Sequence, residues 1–196
     1  MEELLALMIG VGLAAACGFR IFVPILGLSL AANTGHVELS DSFLWLGEPT
    51  AAAALAIATC LEIGAYYIPW LDNLLDTAAS PCAVVAGVIA TGAMTTDMSP
   101  LMMWSTAVIA GGGTSAFFQF GSTITRQIST LTTGGLGNPV IATAELGGSI
   151  VMTVLAILFP VLAMAALLVL AVLTFRAFGR WRAKKAQAQV TAGTLA

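Results

Sequence analysis

An all-α fold, a polytopic bundle of membrane helices, is what this sequence predicts, and three observations carry the prediction. The 196 residues are 59% hydrophobic and 9% charged, with a mean hydropathy of +0.97, a composition far from the usual globular range. The apolar runs exceed what one soluble core of this size could hide. Five of the seven basic residues, Arg176, Arg180, Arg182, Lys184 and Lys185, crowd just beyond the last apolar run, where the positive-inside rule puts a cytoplasmic flank.

A hydrocarbon layer ~30 Å thick needs about 20 apolar residues per helix. Segments of that order are 4–32, 49–69, 81–98 and 101–128. Two more come from the run 139–178, too long for one span at ~1.5 Å per residue and divisible into a hairpin at Pro160. Six spans result, or five if that run is not divided. A cytoplasmic C-terminus then puts the N-terminus inside, the acidic loop of Glu38, Asp41 and Glu48 outside, and Asp72, Asp76 and Arg126 on the inner side. Glu2 and Glu3 stand where a signal peptide would be basic, so no cleavage is expected. The organisation predicted is one transmembrane domain, 1–182, with a small polar tail, 183–196, expected to be disordered.

The two halves, 1–98 and 99–182, show weak similarity of the kind transporters carry as repeats. Gly10-Val11-Gly12 opens one first span and Gly111-Gly112-Gly113 the other. Each half then has a proline-led second span, at Pro49 and Pro139, and a third apolar segment. Three spans per half would make the repeat inverted. The first span of each half also reads as broken, at Cys17-Gly18 with Pro24 and at the triple glycine. Broken helices at membrane depth are tolerated only where protein or water satisfies the freed backbone groups. Gly18 and Gly112 are therefore candidates for half-helix ends facing a central site, or for close helix packing.

Arg20 is the strongest functional pointer. It lies deep in the first apolar run, where a guanidinium costs at least about 2.5–3.5 kcal/mol on insertion scales and needs a partner, a wet cavity or a task. The candidate anionic partners are Glu62, in the second span, and Glu145, in the fifth. Either could carry a proton or bind a cation on a transport path, or form a buried bridge that fixes helix register. Gln119, Ser122, Thr123 and Thr125 give the fourth span a polar stripe. Asp72 and Asp76, four apart, share one face of a short interfacial helix anchored by Trp70, as a solvated face, an acidic gate or a partner for Arg126. The segment Thr132 to Pro139 reads mainly as a turn and helix start, with Asn138 as cap and Pro139 in the first helical position. Its threonines and glycines otherwise suit an ion filter.

Cys17, Cys60 and Cys82 are odd in number and lack metal spacing, so they read as small hydrophobes. Walker, HExxH and GxSxG motifs are absent and the lone His36 falls in a loop, which argues against an enzyme. A net charge of −3 argues against nucleic acid.

Together, Ala16-Cys17-Gly18-Phe19-Arg20 with Pro24, Glu62 with Ile68 to Asn73 and Asp76, and Thr133 to Pro139 with Glu145 form a pattern over nearly the whole chain. It resembles a family of small bacterial membrane proteins, the domain of unknown function numbered four-one-two-six. The resemblance implies that these residues belong together and implies no activity.

The functional expectation is a small transporter or channel of the bacterial inner membrane for an ion or small polar solute, without cofactor or metal. Its site would gather Arg20, Glu62, Glu145, Asn138, Gln119, Gly18 and Gly112. A homodimer is expected through the small-residue faces 51–56 and Gly147-Gly148. The alternatives are a non-transporting scaffold or assembly factor, with Arg20 and Glu62 as a structural bridge, and a lipid-handling protein. Transport predicts a polar cavity reaching Arg20 from one side; a scaffold predicts complete burial of Arg20 beside one carboxylate.

Overall fold

The computed structural model describes residues 2–96, 98–173 and 176, and for residues 69–77 the course of the helix without its side chains. Among the described residues every regular element is helical. Helix α1 (Glu2–Cys17) starts with Glu2 and Glu3 at the positive end of its dipole. In its second half Gly10, Gly12 and every residue from Leu13 to Cys17 are buried. A helix that is small and apolar on all sides belongs in the middle of a bundle, and α2 (Phe22–Asn33), α4 (Pro69–Ala93), α6 (Gly113–Thr133) and α7 (Asn138–Leu158) pack around it.

Prolines set several helix starts, because a first-turn residue has no intrahelical use for its N–H. Pro49 opens α3 (Pro49–Ala65), Pro69 opens α4, Pro100 opens α5 (Pro100–Thr106) and Pro139 lies in the first turn of α7. The third span was expected to begin at Pro81, but α4 runs through that proline without ending. The segment of Asp72 and Asp76 is thus the first part of α4 rather than a separate interfacial helix. The loop after α2 folds back as a 3-10 helix (Asp41–Gly47) with Phe43 and Leu46 buried. Ser29 Oγ donates to Leu46 O at 2.5 Å and Ser40 Oγ to Gly92 O at 2.9 Å, fastening the loop to α2 and α4.

The first span is interrupted as expected: α1 stops at Cys17 and α2 starts at Phe22. The fourth is not broken. A continuous helix runs over Pro100–Thr133, passing from α5 through a π-helical turn (Ala107–Gly112) into α6. A π turn widens the helix by one residue and re-aims everything after it, so the triple glycine serves packing. A Cβ on Gly111 would sit 2.8 Å from Thr91 Cβ, and one on Gly87 would sit 2.7 Å from the Gly111 carbonyl oxygen. Gly112 lies against Val84 and Val88 of α4.

At the break itself, Gly18 lets α1 touch α6. An added Cβ would lie 2.8 Å from Ser115 O and 2.9 Å from Gln119 N, both backbone atoms that cannot swing aside. Gly18→Ala should therefore lower stability by about 1–3 kcal/mol, the usual range for overpacking. Thermal unfolding of the purified variant in detergent checks this, and an unchanged midpoint would mean that the two helices separate freely.

Beyond α7 the chain turns at Phe159 (φ −137, ψ 64) into α8 (Pro160–Leu173). A Cβ on Gly12 would meet both Ala156 and Ala163, at 2.7 and 3.7 Å. Seven residues of straight helix span about 10.5 Å, so a sharp bend at Pro160 is required to bring both alanines to one glycine.

Among the described residues two helices, Pro100–Thr133 and Asn138–Leu158, are long and apolar enough to cross a membrane alone. Asp41–Gly47 and Pro49–Ala65 meet that test only as a pair bent by 69°. Phe22–Asn33 is apolar but shorter, and the described apolar stretches of α4 and α8 are Ala78–Ala93 and Pro160–Leu173. Among the described residues the expected six spans correspond to two full-length helices, or three if the bent pair is one span, and the first span is divided at the Gly18 break. Large apolar side chains such as Leu61, Ile109, Val151 and Leu168 are exposed on the outside. Such a surface is stable against lipid and not against water, and the chain is a membrane protein.

Candidate functional site

Interrupting a helix in a membrane frees carbonyls at one end and amides at the other, and both must find partners. On the carbonyl side, Ala16 O accepts from Phe19 N at 3.0 Å, Arg20 N at 3.1 Å and Ser149 Oγ at 3.2 Å. On the amide side, the Glu62 carboxylate takes two of the freed donors: Ile21 N to Oε1 at 2.8 Å and Phe22 N to Oε2 at 3.1 Å. Glu62 thus stands at the positive end of α2 as a cap supplied by another helix. It is not within ion-pair distance of Arg20, so the expected bridge between those two residues does not form.

Arg20 turns toward α7 instead. Its Nη2 donates to Ala142 O at 2.7 Å and lies 3.9 Å from Glu145 Oε2. The guanidinium carbon sits 3.8 Å from the centre of the Tyr66 ring, within cation-π range. Arg126 reaches the same ring at 4.5 Å.

Glu145 is the electrostatic hub. Arg126 binds it through Nε, at 3.3 Å from Oε1 and 3.1 Å from Oε2, and through Nη2 to Oε2. Ser122 Oγ donates to Oε1. Ser122 and Arg126 are four apart on α6 and so share a face, together with buried Ser115, Gln119 and Ser129. The polar stripe follows that face. Thr123 and Thr125 leave it and bond back to carbonyls of their own helix, at Gln119 and Gly121.

The cluster brings together Arg20, Arg126, Glu145, Ser122 and Tyr66, all inside the bundle. Arg20 is 2% exposed, as is Arg126. Gln119 is buried beside the Gly18 contact. Gly112 faces α4. Asn138 does not cap α7, whose cap is Gly137; its Nδ2 donates to Thr130 Oγ1 at 3.2 Å and ties α7 to α6. The loop that precedes α7 is built as a helix end and turn, the main sequence reading of this segment. Gly134 and Gly135 take positive φ, 64° and 89°, as a helix C-terminus requires. The carbonyls of Thr133, Gly135 and Gly137 already accept backbone donors. The side chains of Asp72 and Asp76 lie outside the described residues, as do Arg180, Arg182, Lys184, Lys185 and the tail 183–196. Cys17 is buried, whereas Cys60 and Cys82 are exposed rather than packed.

A cleft of about 390 Å³ between α2, α3 and α4 is lined by apolar side chains, among them Ile21, Phe22, Leu55, Pro81 and Val85. Arg20 does not line it. Tyr66 and Ser149 carry roles the sequence reading did not assign. Each stands four residues after an intramembrane glutamate, Glu62 and Glu145, and that shared helical face was the available signal.

Residues 7–180 match the family model for a domain of unknown function, DUF4126. The chain belongs to this family. No curated protein and no solved structure matches it. Membership covers every residue of the cluster and joins the chain to a family whose description names no activity.

Proposed function

We propose that this protein is a small transporter or channel of the bacterial inner membrane for an ion or small polar solute, with its C-terminus in the cytoplasm. The observation that carries this reading is the Arg20 guanidinium, buried in the bundle with Nε and Nη1 lacking any hydrogen-bond acceptor. A purely structural arginine at such depth gains most when all its donors are matched. The interrupted first span supports the same reading, since broken helices recur at transport sites. Exposed small residues at Gly147 and Gly148, with open space around them, suit a homodimer.

A second reading, a scaffold held by a buried ion cluster, is favoured by the burial expected of it: Arg20 is 2% exposed beside Glu145, and the described cleft is apolar and does not reach it. Uptake into proteoliposomes across a panel of ions and small anions, with and without a pH gradient, separates the two. Transport predicts flux that falls at least about tenfold with Arg20→Met, a loss of about 1.4 kcal/mol or more. If Glu62 also carries the coupling proton, Glu62→Gln makes the remaining flux indifferent to the gradient. Absence of flux from folded wild-type protein across the whole panel would leave the scaffold.

A further inference from the structure

We infer that Arg20 anchors an internal site for a small oxyanion, meaning a carboxylate or phosphate-type group; the inference rests on the transport reading and narrows its solute. A guanidinium offers five N–H bonds. Nη2 is engaged by the Ala142 carbonyl at 2.7 Å, while Nε and Nη1, which carry three of the five, meet no acceptor. Glu145 does not supply one. Its oxygens are taken by Ser122 and by the Nε and Nη2 of Arg126, which leaves Arg20 at 3.9 Å, beyond hydrogen-bond length. Glu62, the other intramembrane carboxylate, spends both oxygens on the amides of Ile21 and Phe22.

The surroundings select for charge and shape. The Tyr66 ring lies 3.8 Å from the guanidinium carbon and 4.5 Å from that of Arg126; Arg126 is ion-paired to Glu145, so the unmatched N–H groups of Arg20 are what would hold an anion. A cation at the same place would meet two guanidinium groups and a carboxylate already shared between them. Planar or tetrahedral oxyanions match guanidinium geometry, and a charge-assisted bond to them is shorter and stronger than a neutral one. Burial at 2% exposure raises the worth of each such bond, because little water competes.

The test is calorimetric titration of the purified full chain in detergent with sodium formate and with sodium phosphate, against sodium chloride at equal ionic strength. The expected result is saturable formate or phosphate binding that Arg20→Lys weakens about tenfold or more, since lysine keeps the charge and loses the planar fork. Arg20→Met should abolish it; if that variant does not fold, Arg20→Lys carries the comparison. A headgroup phosphate is the other source of the same chemistry. Raised thermal stability in phosphatidylglycerol over phosphatidylcholine nanodiscs, lost in Arg20→Lys, with no response to formate or free phosphate, would assign the site to lipid. No binding of either kind, or binding unchanged by Arg20→Lys, overturns the inference. Oxyanion binding without flux would keep this site and remove transport. Cation flux without oxyanion binding would do the reverse.

Discussion

Glu145→Ala should destabilise the protein by about 3–5 kcal/mol, the cost of removing one partner of a buried ion pair. The carboxylate receives Arg126 through two nitrogens and Ser122 through its hydroxyl, with Arg20 at 3.9 Å. Its loss leaves two guanidinium groups, each 2% exposed, without the carboxylate they share. The penalty is therefore mainly that of two buried guanidinium groups deprived of this carboxylate. A double variant, Glu145→Leu with Arg126→Met, should recover much of the loss, because apolar residues of similar volume often replace a buried pair at little cost. Thermal unfolding in detergent, read beside the yield of monodisperse protein, gives both numbers. A single variant with the wild-type midpoint would show that water reaches the cluster and screens it.

The second large effect is expected at Glu62, and its cause differs. Glu62→Ala strips the acceptor from two backbone amides, Ile21 N and Phe22 N; a buried donor left unmatched costs about 1–3 kcal/mol, and because both of these are only part-buried the lower part of that range, about 1–2 kcal/mol each, applies. A loss of about 2–4 kcal/mol is expected. Glu62→Gln keeps one carbonyl oxygen for one amide and should lose roughly half as much. The ordering alanine worse than glutamine, with hydrogen exchange accelerated locally at Ile21 and Phe22, identifies the cap. Equal loss in both variants would instead make the negative charge the whole contribution.

The membrane class, the break in the first span and the placement of Arg20, Glu62 and Glu145 inside apolar segments were legible in the sequence because each violates a local expectation, whereas Arg126, expected on the inner side, is buried against Glu145. A charge in an apolar run is expensive wherever the chain goes, and Cys17-Gly18 ahead of Pro24 disfavours a continuous helix. The pairings were not legible. Glu62 and Glu145 look alike in sequence, each flanked by apolar and small residues, yet one holds backbone amides and the other two arginines. The distinction comes from which helix packs beside which. Gly111-Gly112-Gly113 was misleading for the same reason: glycine permits a break and also permits contact, and here α4 closes on it, so the helix continues through a π turn.

What the sequence determined by itself was therefore solvent and cost: apolar length demands a bilayer, and each buried polar group demands a partner. Only the tertiary structure decided the partners. Hydrogen bonds and ion pairs act over about 3–4 Å, whereas the residues concerned are far apart in the chain: Arg20 meets Ala142 and Ser149 meets Ala16. Helix packing brings them within that range, through glycines at Gly12 and Gly18 that let α1 come close to α7 and α6.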